Sequence, residues 1–259
     1  MKTLLSSLLL LSLVPSAAHA LSCADGPYAS VPKDGSAEVP LNARVAVWYS
    51  FSTPDELPLH LINNATGEEV PTSTSDIEDS GGVFLLVPDS PLDTDTSYSV
   101  TVTRGDTLAS EGTQVTQFTT GSQIDEDSPS QPIISAVSKS ENNTDWGPTD
   151  SVNATVKGAN EVVYYRMEVA DNEDFIQSES STMYAWDGII SVGHGLCTTT
   201  LTREAMSVKH VRLIAIDLAG NESIVSESAK SMGCSAVGLS GVSWLGLGLL
   251  PIFMRRRRS

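Results

Sequence analysis

Cysteine is scarce in this chain: Cys23, Cys197 and Cys234 are the three in 259 residues. They form no Cys-x-x-Cys pair and no Cys/His cluster, so the ligand spacing of a zinc site is missing. Hydrolase signatures are missing as well. Neither a Gly-x-Ser-x-Gly elbow nor a His-Glu-x-x-His motif occurs. Basic residues are few. Between Leu21 and Gly233 lie all 32 Asp and Glu but 10 of the 15 Lys and Arg; 10 bases against 32 acids give that part a formal charge of −22. A surface of that sign repels nucleic acid and anionic headgroups, which excludes nucleic acid as a partner. It favours solubility. No cofactor and no metal set is read from it.

Long apolar runs are confined to the two ends. Residues 1–20 have the form of a secretory signal: Lys2, an apolar stretch from Leu4 to Val14, the breaker Pro15, then Ala18-His19-Ala20 as a small-x-small cleavage site. The mature chain is expected to begin at Leu21. A lipoprotein reading through Cys23 is weakened because Ala20 stands where Leu is usual. Residues 233–259 open on Gly233-Cys234-Ser235. A 19-residue uncharged run from Ala236 to Met254 follows, then Arg255, Arg256, Arg257 and Arg258. As a helix that run is about 28 Å long, close to the hydrocarbon thickness of a bilayer. The arginines hold its end on the cytoplasmic side. Gly238, Gly241, Gly246, Gly248, Ser240, Ser243 and Pro251 dilute its hydrophobicity. A weak span of this kind suits a segment that is held briefly and then processed; an uncleaved single-pass anchor is the alternative.

The order of Cys motif, weak span and terminal Arg cluster resembles the tripartite C-terminal sorting signals of Gram-negative bacteria, most of all the MYXO-CTERM type. The resemblance implies lipid modification at Cys234, removal of the tail by a sortase-like membrane protease, and display at the cell surface. Export and sorting machinery would then be partners, with processing positions at Ala20, Gly233 and Cys234.

The remaining length suits two domains of about 100 residues each. The first spans residues 21–121. Val45, Val47, Tyr49 and Phe51 alternate along one strand; Leu57, Leu59 and Leu61 alternate along another. Asn63-Asn64-Ala65-Thr66-Gly67 reads as a hairpin turn before Glu69-Val70. Val83–Val87, Tyr98–Val102 and Gln114–Thr119 complete a β-only pattern, which argues a sandwich. Three segments carry a resemblance to bacterial Ig-like modules of the SbsA Ig-like, or Big_5, type. They are Val39-Pro40-Leu41-Asn42-Ala43, Pro91 through Val100, and Thr116-Gln117-Phe118-Thr119-Thr120-Gly121.

Residues 122–130 form a polar acidic linker stiffened by Pro129. Its adjacent acids Asp125-Glu126-Asp127 do not match the alternating ligands of an EF-hand loop. The second domain spans residues 131–232. Strands are expected at 132–137, 151–156, 162–170 and 208–217. In the last, Val211, Leu213 and Ala215 lie on one face and Arg212, Ile214 and Ile216 on the other. Asp217 to Ser223 is a tight turn into a final strand, Ile224-Val225-Ser226. The run from Ala215 to Ser223 resembles the final hairpin of fibronectin type III-like and other bacterial Ig-like domains, which implies that Gly220 permits positive φ and that Asp217 and Asn221 cap the turn through their side chains. Ser180 to Arg203 is less regular and reads as a longer loop carrying Trp186, His194 and Cys197.

The expected architecture is therefore all-β: two tandem Ig-like β-sandwiches, an N-terminal signal peptide and a C-terminal transmembrane helix. With Cys234 assigned to the tail, Cys23 and Cys197 remain to pair in an oxidising compartment, or to stay as two buried thiols. A catalytic triad needs a nucleophile, a base and an orienting acid within hydrogen-bond reach. His60, His194 and His210 sit in no such motif, and the chain reads as a non-enzyme. The function expected is an exported, surface-anchored Ig-like protein with a structural or adhesive role. The alternative is a carbohydrate- or ligand-binding module using Trp146, Trp186 or Tyr184, its partner a surface protein or a glycan. Buried aromatics favour the first reading, and exposed, clustered ones the second.

Overall fold

A computed structural model describes residues 26–50, 53–77, 82–103, 112–144, 147–157, 163–195 and 199–231. The signal, the tail with its apolar span, Phe51, Trp146 and all three cysteines lie outside the described residues. Among the described residues no helix is long and apolar enough to cross a membrane.

The first half contains β1 (Gly26–Val31), β2 (Ser36–Val39), β3 (Val45–Ser50), β4 (Leu59–Asn63), β5 (Thr72–Asp76), β6 (Val83–Pro88), β7 (Ser97–Val102) and β8 (Thr113–Thr120). They make two sheets, β1-β3-β6-β5 and β2-β8-β7-β4. The chain changes sheet between β1 and β2. Pro32 follows β1 directly; it has no N–H for a ladder, and β2 then runs parallel to β8. Val45, Val47 and Tyr49 turn one face of β3 into the sandwich, as their alternation predicts. The core there holds Val31, Val39, Leu61, Leu86, Tyr98, Val100 and Phe118. Tyr98 stacks on Phe118 at 5.8 Å, and its hydroxyl accepts the Asp93 N–H at 2.9 Å. The Asn63–Gly67 turn forms: Gly67 N–H donates to the Asn63 carbonyl at 2.8 Å and Val70 N–H to Leu61 at 2.7 Å.

The second half contains β9 (Ile134–Thr144), β10 (Gly147–Val156), β11 (Val163–Ala170), β12 (Glu179–Tyr184), β13 (Ile189–His194), β14 (His210–Asp217) and β15 (Ala229–Lys230). Its sheets are β13-β10-β9 and β12-β11-β14-β15. Between them lies a second core of Val137, Val152, Val156, Tyr165, Met167, Val169, Ile190, Val192, Val211, Leu213 and Ala215.

Several expectations need correction. β4 begins at Leu59 rather than Leu57, although Leu57 is buried. The segment expected to be a loop, Ser180 to Arg203, contains β12 and β13. Serine- and threonine-rich, it shows little apolar alternation, and ladder bonds to β11 and β10 hold it extended. Ile224–Ser226 is no regular strand. Instead Ser223 and Ser226 each use both backbone and hydroxyl against β14. Ser223 N–H donates to Ala215 O at 2.9 Å, and Ala215 N–H donates to Ser223 Oγ at 2.9 Å. Ser226 N–H donates to Leu213 O at 2.8 Å, and Leu213 N–H donates to Ser226 Oγ at 2.8 Å. Hydroxyls thus stand in for the carbonyls of a ladder strand, and the buried Leu213 and Ala215 N–H groups find acceptors.

Candidate functional site at the joint between the sandwiches

β3 is buried along its whole length, because both of its faces are covered. Trp48, on the same face of β3 as Ala46, points away from its own sandwich and meets Tyr164 of β11 and Thr182 and Tyr184 of β12. The first core therefore continues through Tyr164, Ile214, Ile216 and Leu218. β14 is the mirror case, with Val211, Leu213 and Ala215 in the second core and Ile214 and Ile216 in the first. The Trp48 ring meets Tyr184 at 5.0 Å and Tyr164 at 6.2 Å, edge to face. Its Nε1–H donates to the Thr182 carbonyl at 3.1 Å, so the indole is buried with its polar atom satisfied.

Polar bonds close the same joint. Arg44 N–H donates to Leu218 O at 2.7 Å. The turn after β14 has Gly220 at φ +90°, and a Cβ there would collide with the Arg44 guanidinium. Asn221 N–H donates to Asp217 Oδ1 at 2.8 Å, and Asn221 Nδ2–H to Asp217 Oδ2 at 3.0 Å, giving these two residues the capping role expected of them. Asn221 also reaches the linker carbonyls of Asp125 and Asp127. From the other side Asn42 Nδ2–H donates to Asp125 O at 2.8 Å and Asn42 Oδ1 accepts Asp125 N–H at 3.0 Å. An asparagine from each half thus clasps the linker. Burial, above all, pushes the Tyr164 phenol up to about 12; Arg44 pulls it down, while Asp217 and Glu222 push it further up.

At one rim of the joint the Tyr184 and Trp186 rings come together. Tyr28 of β1 is 42% exposed, Tyr184 of β12 is half-buried and Trp186 is 74% exposed. The Tyr184 and Trp186 rings lie 6.5 Å apart at 71°. Burial pushes Tyr28 up to about 12, helped by the nearby Tyr184 phenol; burial alone raises Tyr184. Of the aromatics singled out in the sequence, Tyr184 and Trp186 are brought together.

His60 and His194 are tied to acids and His210 to a serine. His60 lies between Glu69 Oε1 at 2.7 Å and Thr103 Oγ1 at 3.1 Å. That is the connectivity of a relay, and Thr103 is buried, 3% exposed. His194 ends β13 rather than lying in a flexible loop. Its Nδ1 is 2.6 Å from Asp150 Oδ1, while Asp150 Oδ2 accepts Ala205 N–H at 2.7 Å. His210 opens β14, buried, with Nδ1 3.3 Å from Ser228 Oγ. Among the described residues no group of His, Cys, Asp or Glu has the arrangement of a metal site.

Two clefts open among the described residues of the second half. One, of about 520 Å³, opens between the linker residues Asp125–Pro132 and Lys157, Tyr165 and Asp217. The other, of about 490 Å³, is lined by Glu168, Glu179 and residues 199–202. Burial pushes Glu179 up, but hydrogen bonds from Thr202 and Arg203 outweigh it and hold the carboxyl below its usual range. The processing positions Ala20, Gly233 and Cys234, the arginines 255–258 and the pair Cys23 and Cys197 lie outside the described residues.

Residues 28–120 match the family model of the Big_5 bacterial Ig-like domain, which is the first sandwich and less than half of the chain. No curated protein matches. Among solved structures, Dpr11 IG1 bound to DIP-gamma IG+IG2 is similar at 10% identity and a TM-score of 0.24, over 80% of this chain and 98% of that one. The N-terminal part of the bacterial S-layer protein SbsC is similar at 10% identity and a TM-score of 0.23, over 80% and 43%. Titin domains I67–I69 are similar at 8% identity and a TM-score of 0.24, over 82% and 66%. At such scores these likenesses carry no argument about function.

Proposed function

We propose that this chain is an exported, surface-anchored pair of Ig-like modules, residues 21–121 and 131–232, that acts as a stiff structural or adhesive element rather than as an enzyme. The observation that carries the mechanical part is the apolar core shared by both sandwiches around Trp48. Inter-domain contacts within a chain are by default small, polar and mobile. A buried tryptophan hydrogen-bonded across the joint, and a linker clasped from both sides, work against such motion and set one angle between the modules. A fixed angle suits a part that holds a contact face at a set distance from the cell.

Support for display comes from the two ends of the sequence. The signal ends at Ala20, and the Gly233-Cys234 motif, the weak span and Arg255–Arg258 resemble a MYXO-CTERM tail. In this reading Cys234 carries lipid, the tail is removed and export and sorting machinery are the partners. The second sandwich is of the fibronectin type III-like kind, and Cys23 pairs with Cys197. Intact-mass analysis of protein taken from its native envelope tests this. Loss of residues 1–20 and of the tail, with added lipid mass, is expected. A mass that retains Ala236 to Ser259 would leave a plain anchor, and an intact chain in the cytosol would overturn display altogether.

A further inference from the structure

β9 is the longest of the described strands, and it forms an edge of its sheet. Its 11 residues pair with β10 along one side, and the sheet order β13-β10-β9 ends there. The opposite edge of that sheet is occupied at its end, where Thr200 N–H donates to Gly193 O at 2.9 Å and Gly193 N–H to Thr200 Oγ1 at 2.8 Å.

An edge strand offers a row of N–H and C=O groups to any strand that can pair with it. Shortness, proline, a bulge or an outward lysine usually guards against this. β9 is long and holds no proline. Its one irregularity in register lies at its beginning, opposite Thr155 and Val156. Lys139 Nζ donates to Met206 O at 2.9 Å, so its charged head is drawn to its own chain. Ser138, Ser140, Glu141 and Asn142 are exposed.

The two faces of this sheet differ in charge. Val137, Val152 and Ile190 enter the core. By strand alternation Lys139, Glu141, Asp150 and His194 continue the same face. The other face presents Ser138, Ser140, Asn142, Ser151, Asn153 and Ser191, and among the described residues it bears no charged side chain. Ser140 Oγ and Ser151 Oγ lie 2.8 Å apart there, and Asn153 Nδ2–H donates to Ser151 Oγ at 3.2 Å. In a chain so strongly acidic, two copies repel one another least along such a surface.

Glu141 points to the occupant. Its partner across the ladder is Asp150, and like charges directly opposite are unfavourable. Asp150 is already engaged with His194 Nδ1 at 2.6 Å and Ala205 N–H at 2.7 Å. Among the described residues no cation pairs with Glu141. A cationic side chain arriving on the open side of β9 would relieve it. β9 itself carries one at the matching place: Lys139 stands two residues before Glu141, with Ser140 between. Antiparallel pairing of β9 with a second copy, centred on Ser140, sets Lys139 of each chain opposite Glu141 of the other and Ser138 opposite Asn142. The strand is thus complementary to itself, as a two-fold interface requires.

We propose that β9 is a self-association edge, through which two copies of this chain join their β13-β10-β9 sheets into one continuous sheet. The pairing depends on the second half alone and not on where the chain resides, so its failure leaves the display reading standing.

The test is sedimentation equilibrium of the native protein over a range of concentrations, where a monomer–dimer equilibrium is expected. Glu141→Lys sets like charges opposite each other twice and should weaken the dimer about tenfold or more. Glu141 is exposed, and an unchanged thermal transition shows that the monomer keeps its fold. Adding Lys139→Glu to that variant restores opposite charges and should bring the dimer back, which a purely structural role of either residue would not do. Ser140→Cys, oxidised with copper phenanthroline, should give a disulfide joining position 140 of two copies, read by peptide mapping. A monomer at every concentration, a dimer indifferent to Glu141→Lys, a double variant that stays monomeric, or no link through position 140 would each overturn the proposal. So would a monomer that binds a lysine-rich extended peptide along this edge, which would give β9 a different partner.

Discussion

The indole Nε1–H of Trp48 donates a 3.1 Å hydrogen bond to the carbonyl of Thr182, 134 residues further along the chain. One side chain thereby belongs to the first sandwich by its backbone and to the second by its contacts. Trp48→Ala removes this bond and the ring contacts with Tyr164 and Tyr184, at a cost of about 3–5 kcal/mol. The loss falls on the coupling between sandwiches more than on either core. The expected outcome is that one cooperative urea transition splits into two, seen as a divergence between near-UV and far-UV circular dichroism. A single transition merely shifted to lower urea would show that the two halves unfold together without this joint.

The linker clasp makes a second prediction. Asn42→Ala removes both bonds to the Asp125 backbone, and Asn221→Ala removes bonds to the linker and to Asp217. Each is expected to cost about 1–2 kcal/mol. Both variants should exchange the Asp125 and Asp127 amides faster and be cut sooner by protease between residues 122 and 130. Asn42→Asp, which keeps the acceptor and loses the donor, should fall between wild type and alanine.

Ser226 is the third. Its hydroxyl accepts the buried Leu213 N–H, so Ser226→Ala leaves that donor unsatisfied, at about 1–3 kcal/mol. Ser140, whose hydroxyl pairs with Ser151 on an exposed surface, provides the comparison: Ser140→Ala should cost a few tenths of that. Chemical denaturation midpoints decide between them. Equal losses would mean that water reaches Leu213 N–H.

Alkaline pH should open the joint. With the Tyr164 phenol raised to about 12 in the folded protein, against about 10 in an unfolded chain, the unfolded state ionises first. Its stabilising contribution is complete below pH about 10 and is lost as pH rises through about 12. Tyr164→Phe removes the ionisable group and keeps the ring. The variant's urea midpoint should therefore fall less steeply than that of wild type across this window. Parallel curves would place the alkaline loss elsewhere.

The sequence by itself determined which faces are apolar. Period-two alternation marked Val45, Val47 and Tyr49, and separately Val211, Leu213 and Ala215, as inward. The turn chemistry around Gly67 and Gly220 was equally plain, because a left-handed φ and side-chain caps are local properties. Only the tertiary structure decided what covers the opposite faces. Trp48 carries no local sign of the second sandwich that buries it. β5 and β12, read as Thr72-Ser73-Thr74-Ser75-Asp76 and Glu179-Ser180-Ser181-Thr182-Met183-Tyr184, are strands because a neighbour supplies their ladder, and a ladder is not a property of the segment. Alternation records that a side chain leaves water. For Trp48 the surface that takes it in comes from Tyr164, Thr182 and Tyr184, far along the chain, and the folded chain alone brings those together.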